Sequence, residues 1–177
     1  CCRLKEGGAS FEFSGFIGHE PLGEYEYAIM PATVRIGKRK LLTVLRCCDY
    51  EEDIPGATGY RLEQYSSLDL GQNWQFDGVI ADDFGGNPAA LVKLADGRLC
   101  VVYGRRVEPY GILCRYSLDE GKSWGQAHVL RDDGGNWDLG YPKACQLPDG
   151  TLIAVYYFNL PDQIERFIAA TRWDCSD

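Results

Sequence analysis

The 177-residue chain has little that would commit it to a metal, a membrane or a nucleic acid. It holds two histidines, His19 and His128, and no Cys-x-x-Cys. Zinc-ligand spacing is therefore absent from the sequence, and no metal or other cofactor is expected. No run of about 18 apolar residues occurs, so no membrane-spanning helix is predicted. No charged-then-apolar leader is visible. The first residue is Cys1 and not Met, so more sequence is expected on the N-terminal side. A formal net charge of −8 argues against nucleic acid or an anionic membrane as partner. It leaves room for a small basic pocket that takes an anionic sugar. No segment sustains a helical period, which points to an all-β chain.

What is present is repetition. The eight cysteines carry no framework of their own, and Cys100, Cys114 and Cys145 stand in apolar, strand-like runs. They are expected as buried thiols in a reducing, cytoplasmic setting. Three longer stretches align: "MPATVRIGKRKLLTVLR" from Met30, "NPAALVKLADGRLCVVY" from Asn87 and "YPKACQLPDGTLIAVYY" from Tyr141. Each opens on a residue followed by proline, then runs strand, tight turn, strand. Asp96-Gly97 and Asp149-Gly150 are hairpin signals, and Gly37-Lys38-Arg39 replaces them in the first copy. A third strand follows in each: "YRLEQYS", "GILCRYS" and "FIAATRW".

After the first two of these third strands comes Ser-x-Asp-x-Gly-x-x-Trp, as Ser67, Asp69, Gly71, Trp74 and as Ser117, Asp119, Gly121, Trp124. Ser and Asp oxygens satisfy turn amides, and glycine takes a backbone conformation other residues resist. A fourth strand leads out, "WQFDGVIA" or "WGQAHVL". Repeated four-stranded antiparallel units predict propeller blades. "FEFSGFIG" at 11–18 matches the fourth strand of an earlier unit, with Glu6, Gly8 and Phe11 at the turn positions. The expected division is 1–29, the end of a preceding blade; 30–83 and 84–137, two blades; and 138–177, a last blade without its outer strand. The whole reads as about three blades of a partial β-propeller whose N-terminal half is supplied elsewhere.

The repeated turn resembles the Asp box, or BNR repeat, of the sialidase superfamily. "AIMP", "GGNPAALVKLADGRL", "VYGRRVEPYGI" and "DLGYPKACQLPDGTLIAVYYFN" resemble bacterial sialidase-like proteins over nearly the whole chain. The resemblance implies a six-bladed propeller and a glycoside hydrolase acting on an acidic or polar glycan. Sialidases hold the substrate carboxylate with arginines and attack with a Tyr that a Glu assists, while an Asp serves as acid/base.

Carried over, the resemblance places Tyr141 at the nucleophile, because "PKACQLPDG" after it is similar to the run after the catalytic Tyr. Arg46 falls on a substrate-gripping arginine, and Arg106 on another, with Arg105 as the fallback. Counting sixteen residues from Met30, Asn87 and Tyr141 gives Arg46, Tyr103 and Tyr157, so the two tyrosines are expected as channel walls and Asn87 as a donor to a sugar hydroxyl. Met30 stands where the activating Glu belongs, and methionine takes no proton. A phenol of pKa about 10 needs help at neutral pH. Asp138 is the expected substitute carboxylate. A glycan-binding propeller without hydrolysis is the alternative, favoured by Met30.

Overall fold

The computed structural model describes residues 1–18, 27–50, 58–82 and 87–174. The expected boundary at 83–84, His19 and Cys175 lie outside them. All described elements are strands: β1 (Cys2–Leu4), β2 (Phe11–Phe13), β3 (Tyr27–Arg35), β4 (Leu41–Tyr50), β5 (Thr58–Ser67), β6 (Gln75–Ala81), β7 (Ala89–Lys93), β8 (Leu99–Arg105), β9 (Gly111–Ser117), β10 (His128–Arg131), β11 (Gly140–Gln146), β12 (Leu152–Phe158) and β13 (Phe167–Trp173). They form antiparallel meanders: β3-β4-β5-β6, β7-β8-β9-β10 and β11-β12-β13, with the hairpin β1-β2 before them. The chain is all-β, a partial propeller.

The hairpins follow from the turn residues. Gly97 and Gly150 take left-handed backbone (φ 94° and 90°). Leu94 N–H donates to the Arg98 carbonyl at 2.8 Å, and Leu147 N–H to Thr151 at 2.8 Å. Asp96 and Asp149 accept from the backbone N–H two residues on.

The sheets stack face to face, and period-2 alternation sorts each strand between two cores. On β8, Leu99, Val101 and Tyr103 pack with Leu42, Val44 and Leu62 of the first sheet. Cys100 and Val102 pack with Leu139, just before the last sheet, and with Leu152, Ala154 and Phe158 of that sheet. This is why "LCVVY" is continuously apolar: both faces of the middle sheet are covered. Cys100 and Cys114 are buried as expected, whereas Cys145 is exposed. It lies on the face of β11 opposite the shared core.

The two Ser-x-Asp-x-Gly-x-x-Trp turns repeat their central bonds. Gly71 N–H donates to Ser67 Oγ at 2.8 Å, and Gly121 N–H to Ser117 Oγ at 2.8 Å. Asp69 and Asp119 accept from the amides of Asn73 and Ser123, both at 2.9 Å. The second turn also docks onto the first sheet: Trp124 Nε1 donates to Gln64 Oε1 at 2.8 Å, and Gln64 Nε2 to the Gly121 carbonyl at 2.9 Å. No hydrogen-bond partner is found for Trp74 Nε1 among the described residues, although it is buried.

Strand register fixes which positions correspond. Leu41, Leu99 and Leu152 each pair with the residue that ends the third strand: Ser67, Ser117 and Trp173. Five residues on stand Arg46, Gly104 and Tyr157. Tyr103 is one residue out of step, and a one-residue step turns a side chain to the other face. The cause lies in the first strands. β3 and β11 carry register breaks at Ile29/Ala32 and Gly140/Lys143, whereas β7 pairs with β8 without a break. The middle sheet lacks the bulge residue, so the X-Pro dipeptides align in sequence but not in space.

Candidate functional site

The three innermost strands meet at a cavity of about 250 Å³, lined by Met30, Pro31, Pro88, Ala89, Tyr141, Pro142 and Lys143. Met30 and Tyr141 occupy matching bulges and share an uncommon backbone, φ 57° and 53°. A bulky residue held left-handed costs about 1–3 kcal/mol and persists only where its surroundings enforce it. Bulges of this kind re-aim a side chain. Here they leave Met30 37% and Tyr141 43% exposed.

Asn87 enforces the second bulge. Its side chain is fully buried. Oδ1 accepts from Tyr141 N–H at 2.9 Å, and Nδ2 donates to the Leu139 carbonyl at 2.7 Å. A Cβ on Gly104 would lie 2.9 Å from Asn87 Nδ2, and one on Gly140 only 2.3 Å. Where the other two sheets place Arg46 and Tyr157, the middle sheet therefore places a glycine that admits this clamp.

Around Tyr141 runs a closed polar network. Its ring centroid is 5.8 Å from that of Tyr157. Arg106 lies beside both: Nη2 donates to Tyr157 Oη at 2.8 Å, Nε donates to the Leu139 carbonyl at 3.2 Å, and Cζ sits 5.7 Å from the Tyr141 ring. Tyr157 Oη donates to Asp138 Oδ1 at 2.9 Å, and Arg166 Nε donates to Asp138 Oδ2 at 2.9 Å. Burial, then the hydrogen bond to Asp138, push the Tyr157 phenol up to about 12. Tyr157 is thus a protonated donor at neutral pH. The Tyr141 hydroxyl has no hydrogen bond among the described residues.

The first sheet offers a different arrangement. Arg46 pairs across the strands with Ile29, beside Met30, as Tyr157 pairs with Gly140, beside Tyr141. Its guanidinium lies between two rings, 5.4 Å from Tyr27 and 5.3 Å from Tyr60. Burial, with a hydrogen bond to Tyr60, raises the Tyr27 phenol, so a neutral ring and not a phenolate faces the cation. Arg46 is only 9% exposed, and its Nε meets no acceptor among the described residues.

Several sequence expectations are corrected by this geometry. Asn87 is fully buried and spent on backbone groups, so it offers nothing to a sugar hydroxyl. Tyr103 is fully buried in the core between the first two sheets, with its hydroxyl accepting from Arg115 Nε at 3.0 Å, so it forms no channel wall. Asp138 has both oxygens engaged by Tyr157 and Arg166, so the phenol it serves is Tyr157 and not Tyr141. Arg105 turns its Nε to the Pro109 carbonyl of its own loop, away from the tyrosine pair that Arg106 meets. Arg166 was not anticipated. Its only sequence signal is a cation directly before the apolar strand "FIAATRW".

No protein-family model matches the chain, and no curated protein matches it in sequence. Solved structures do. A protein of unknown function from Dyadobacter fermentans superposes with TM-score 0.73 at 27% identity, over 94% of this chain and 43% of its own. An alpha-L-arabinanase of Penicillium chrysogenum gives 0.56 at 18% identity, over 81% of this chain and 46% of its own. A sucrose-6-phosphate hydrolase of Lactobacillus gasseri gives 0.55 at 17%, over 83% and 34%. The fold is the one that such propeller glycosidases use. The chain spans less than half the length of each of these three structures.

Proposed function

We propose that this chain contributes the glycan-facing half of a sialidase-like glycoside hydrolase, acting on an acidic or otherwise polar glycan. The observation that carries the proposal is the pair of matched bulges at one cavity. One presents Tyr141 beside Arg106, its hydroxyl without a hydrogen bond among the described residues, and the other stands beside Arg46, a buried arginine whose Nε meets no acceptor among the described residues. An unmade buried hydrogen bond costs about 1–3 kcal/mol, which a ligand anion at Arg46 would relieve. Planar guanidinium groups suit a carboxylate by bidentate contact.

In this reading Tyr141 is the nucleophile or stabiliser at the anomeric carbon. A neutral phenol avoids the repulsion that a carboxylate nucleophile would meet from an anionic sugar. Arg46 and Arg106 hold the anion, Tyr157 walls the site, and Asp138 fixes Tyr157 and Arg166. The remaining half of the propeller supplies the acid that protonates the leaving oxygen. The second reading, a propeller that binds a glycan without cleaving it, is favoured by one observation: among the described residues no carboxylate reaches the Tyr141 hydroxyl.

The experiment is an assay of the protein with all its blades on a panel of acidic-sugar glycosides, comparing wild type with Tyr141→Phe. A hydrolase loses turnover by orders of magnitude while binding holds. A binder shows no turnover in either form. Turnover that survives Tyr141→Phe rules Tyr141 out as nucleophile.

A further inference from the structure

One large side chain beside the candidate site stands mostly clear of the core. Trp137 is 58% exposed, in the loop between β10 and β11. Its loop is nevertheless held firmly. Asn159, fully buried at the end of β12, accepts from Asn136 N–H at 2.8 Å and donates from Nδ2 to the Asp138 carbonyl at 2.7 Å. Asp138 N–H bonds Asn136 Oδ1 at 2.9 Å, and Leu139 N–H bonds the Trp137 carbonyl at 3.0 Å. Side chains at 134 and 135 are forbidden by contacts of 2.7 Å and 2.4 Å to Leu139 and Leu160. The backbone that carries the indole is thus held in place.

That place adjoins the site. Arg106 Cζ lies 5.5 Å from the Trp137 ring and 5.7 Å from the Tyr141 ring, so one guanidinium links the two aromatic plates. The exposed indole face carries a negative quadrupole. It repels a carboxylate and attracts the C–H face of a neutral sugar ring. Arg106, a cationic donor, lies against the indole.

We propose that Trp137 is the stacking platform of a second subsite, which takes a neutral hexose ring linked to the acidic sugar at Tyr141. The proposal deepens the glycan-site reading and rests on it.

The test uses the protein with every blade present and two probes, sialyllactose and the methyl glycoside of sialic acid. Trp137→Ala weakens sialyllactose by roughly threefold to tenfold and leaves the methyl glycoside unchanged. Trp137→Phe restores most of the difference. Sialyllactose also shields tryptophan fluorescence from iodide in wild type more than in Trp137→Ala. An equal loss for both probes, no loss for either, or a Trp137→Ala protein that fails to fold because another blade covers the indole overturns the platform. If wild type binds neither probe, the glycan-site reading falls with it. If Arg46→Met abolishes sialyllactose binding and Trp137→Ala does not change it, the platform alone falls.

Discussion

The middle and last sheets start from the same sequence pattern and end in opposite roles. Both open on X-Pro, and both run strand, Asp-Gly turn, strand. The last sheet inserts a bulge after Gly140, which turns Tyr141 to the cavity and leaves Tyr157 beside it. The middle sheet runs straight. Its Tyr103 falls on the core side, and Gly104 stands where Tyr157 would. The space above Gly104 holds Asn87, which reaches across to the last sheet and fixes the backbone of Tyr141. One extra residue thus decides whether a sheet presents chemistry or supports its neighbour's.

The sharpest way to break this comparison is to remove the clamp. Asn87→Ala leaves Tyr141 N–H without its acceptor, while the Leu139 carbonyl loses one of two donors and keeps Arg106 Nε. The unmade bond costs about 1–3 kcal/mol of stability. Urea unfolding reads it as a lower midpoint at unchanged slope. A midpoint within about 0.5 kcal/mol of wild type shows that the bulge is held by something else.

The presenting sheet is tested next by Tyr157→Phe. The change frees Arg106 Nη2 and Asp138 Oδ1 at a half-buried position, for a loss of about 1–2 kcal/mol. The alkaline titration loses one late phenol, near pH 12, while the raised phenols of Tyr27, Tyr65 and Tyr116 remain. An unchanged number of late phenols shows that Tyr157 is not one of them.

The smallest effect is expected at the repeated turn, which closes strands away from the cavity. Ser123's side chain and amide, with Ser117, hold the Asp119 carboxyl down at about 2. Its pKa unfolded is about 3.9. The folded value is the lower one, so this stabilisation is complete above about pH 4 and is lost as pH falls towards about 2. Asp119→Asn flattens the acid side of a thermal-midpoint profile in that window and leaves any glycan turnover per folded molecule unchanged. A turnover collapse at normal stability would falsify the scaffold role.

Much of the architecture was legible because local signals agreed. Asp-Gly turns, alternating apolar strands and the Ser-x-Asp-x-Gly-x-x-Trp turns all specify the same hairpins, and Ser67 and Ser117 place their strand ends without help from any neighbour. The site was legible only in its outer sheets. Met30 with Tyr141 and Arg46 with Tyr157 correspond in space as in sequence, because both sheets carry the bulge. Asn87 and Tyr103 were misplaced because a bulge leaves no trace in the X-Pro spacing, and its absence from β7 shows only in strand pairing. Spacing in the chain puts Asp138 three residues from Tyr141, but Asp138 meets Tyr157, a contact no spacing rule supplies. Arg166 and the Tyr27–Tyr60 cradle of Arg46 arise the same way, from side chains brought together by strand pairing within a sheet.

The account turns on Arg46 as a cation kept for a ligand and not for the fold. The direct measurement is calorimetric titration of N-acetylneuraminic acid into the protein with all its blades, for wild type and Arg46→Met, beside an unfolding curve for each. The account predicts that Arg46→Met lowers affinity by roughly tenfold or more, since a charge-assisted contact is worth about 1.5–3 kcal/mol, while the unfolding midpoint stays level or rises because a buried orphan donor is gone. Unchanged affinity, or a fall in stability as large as the fall in affinity, contradicts it.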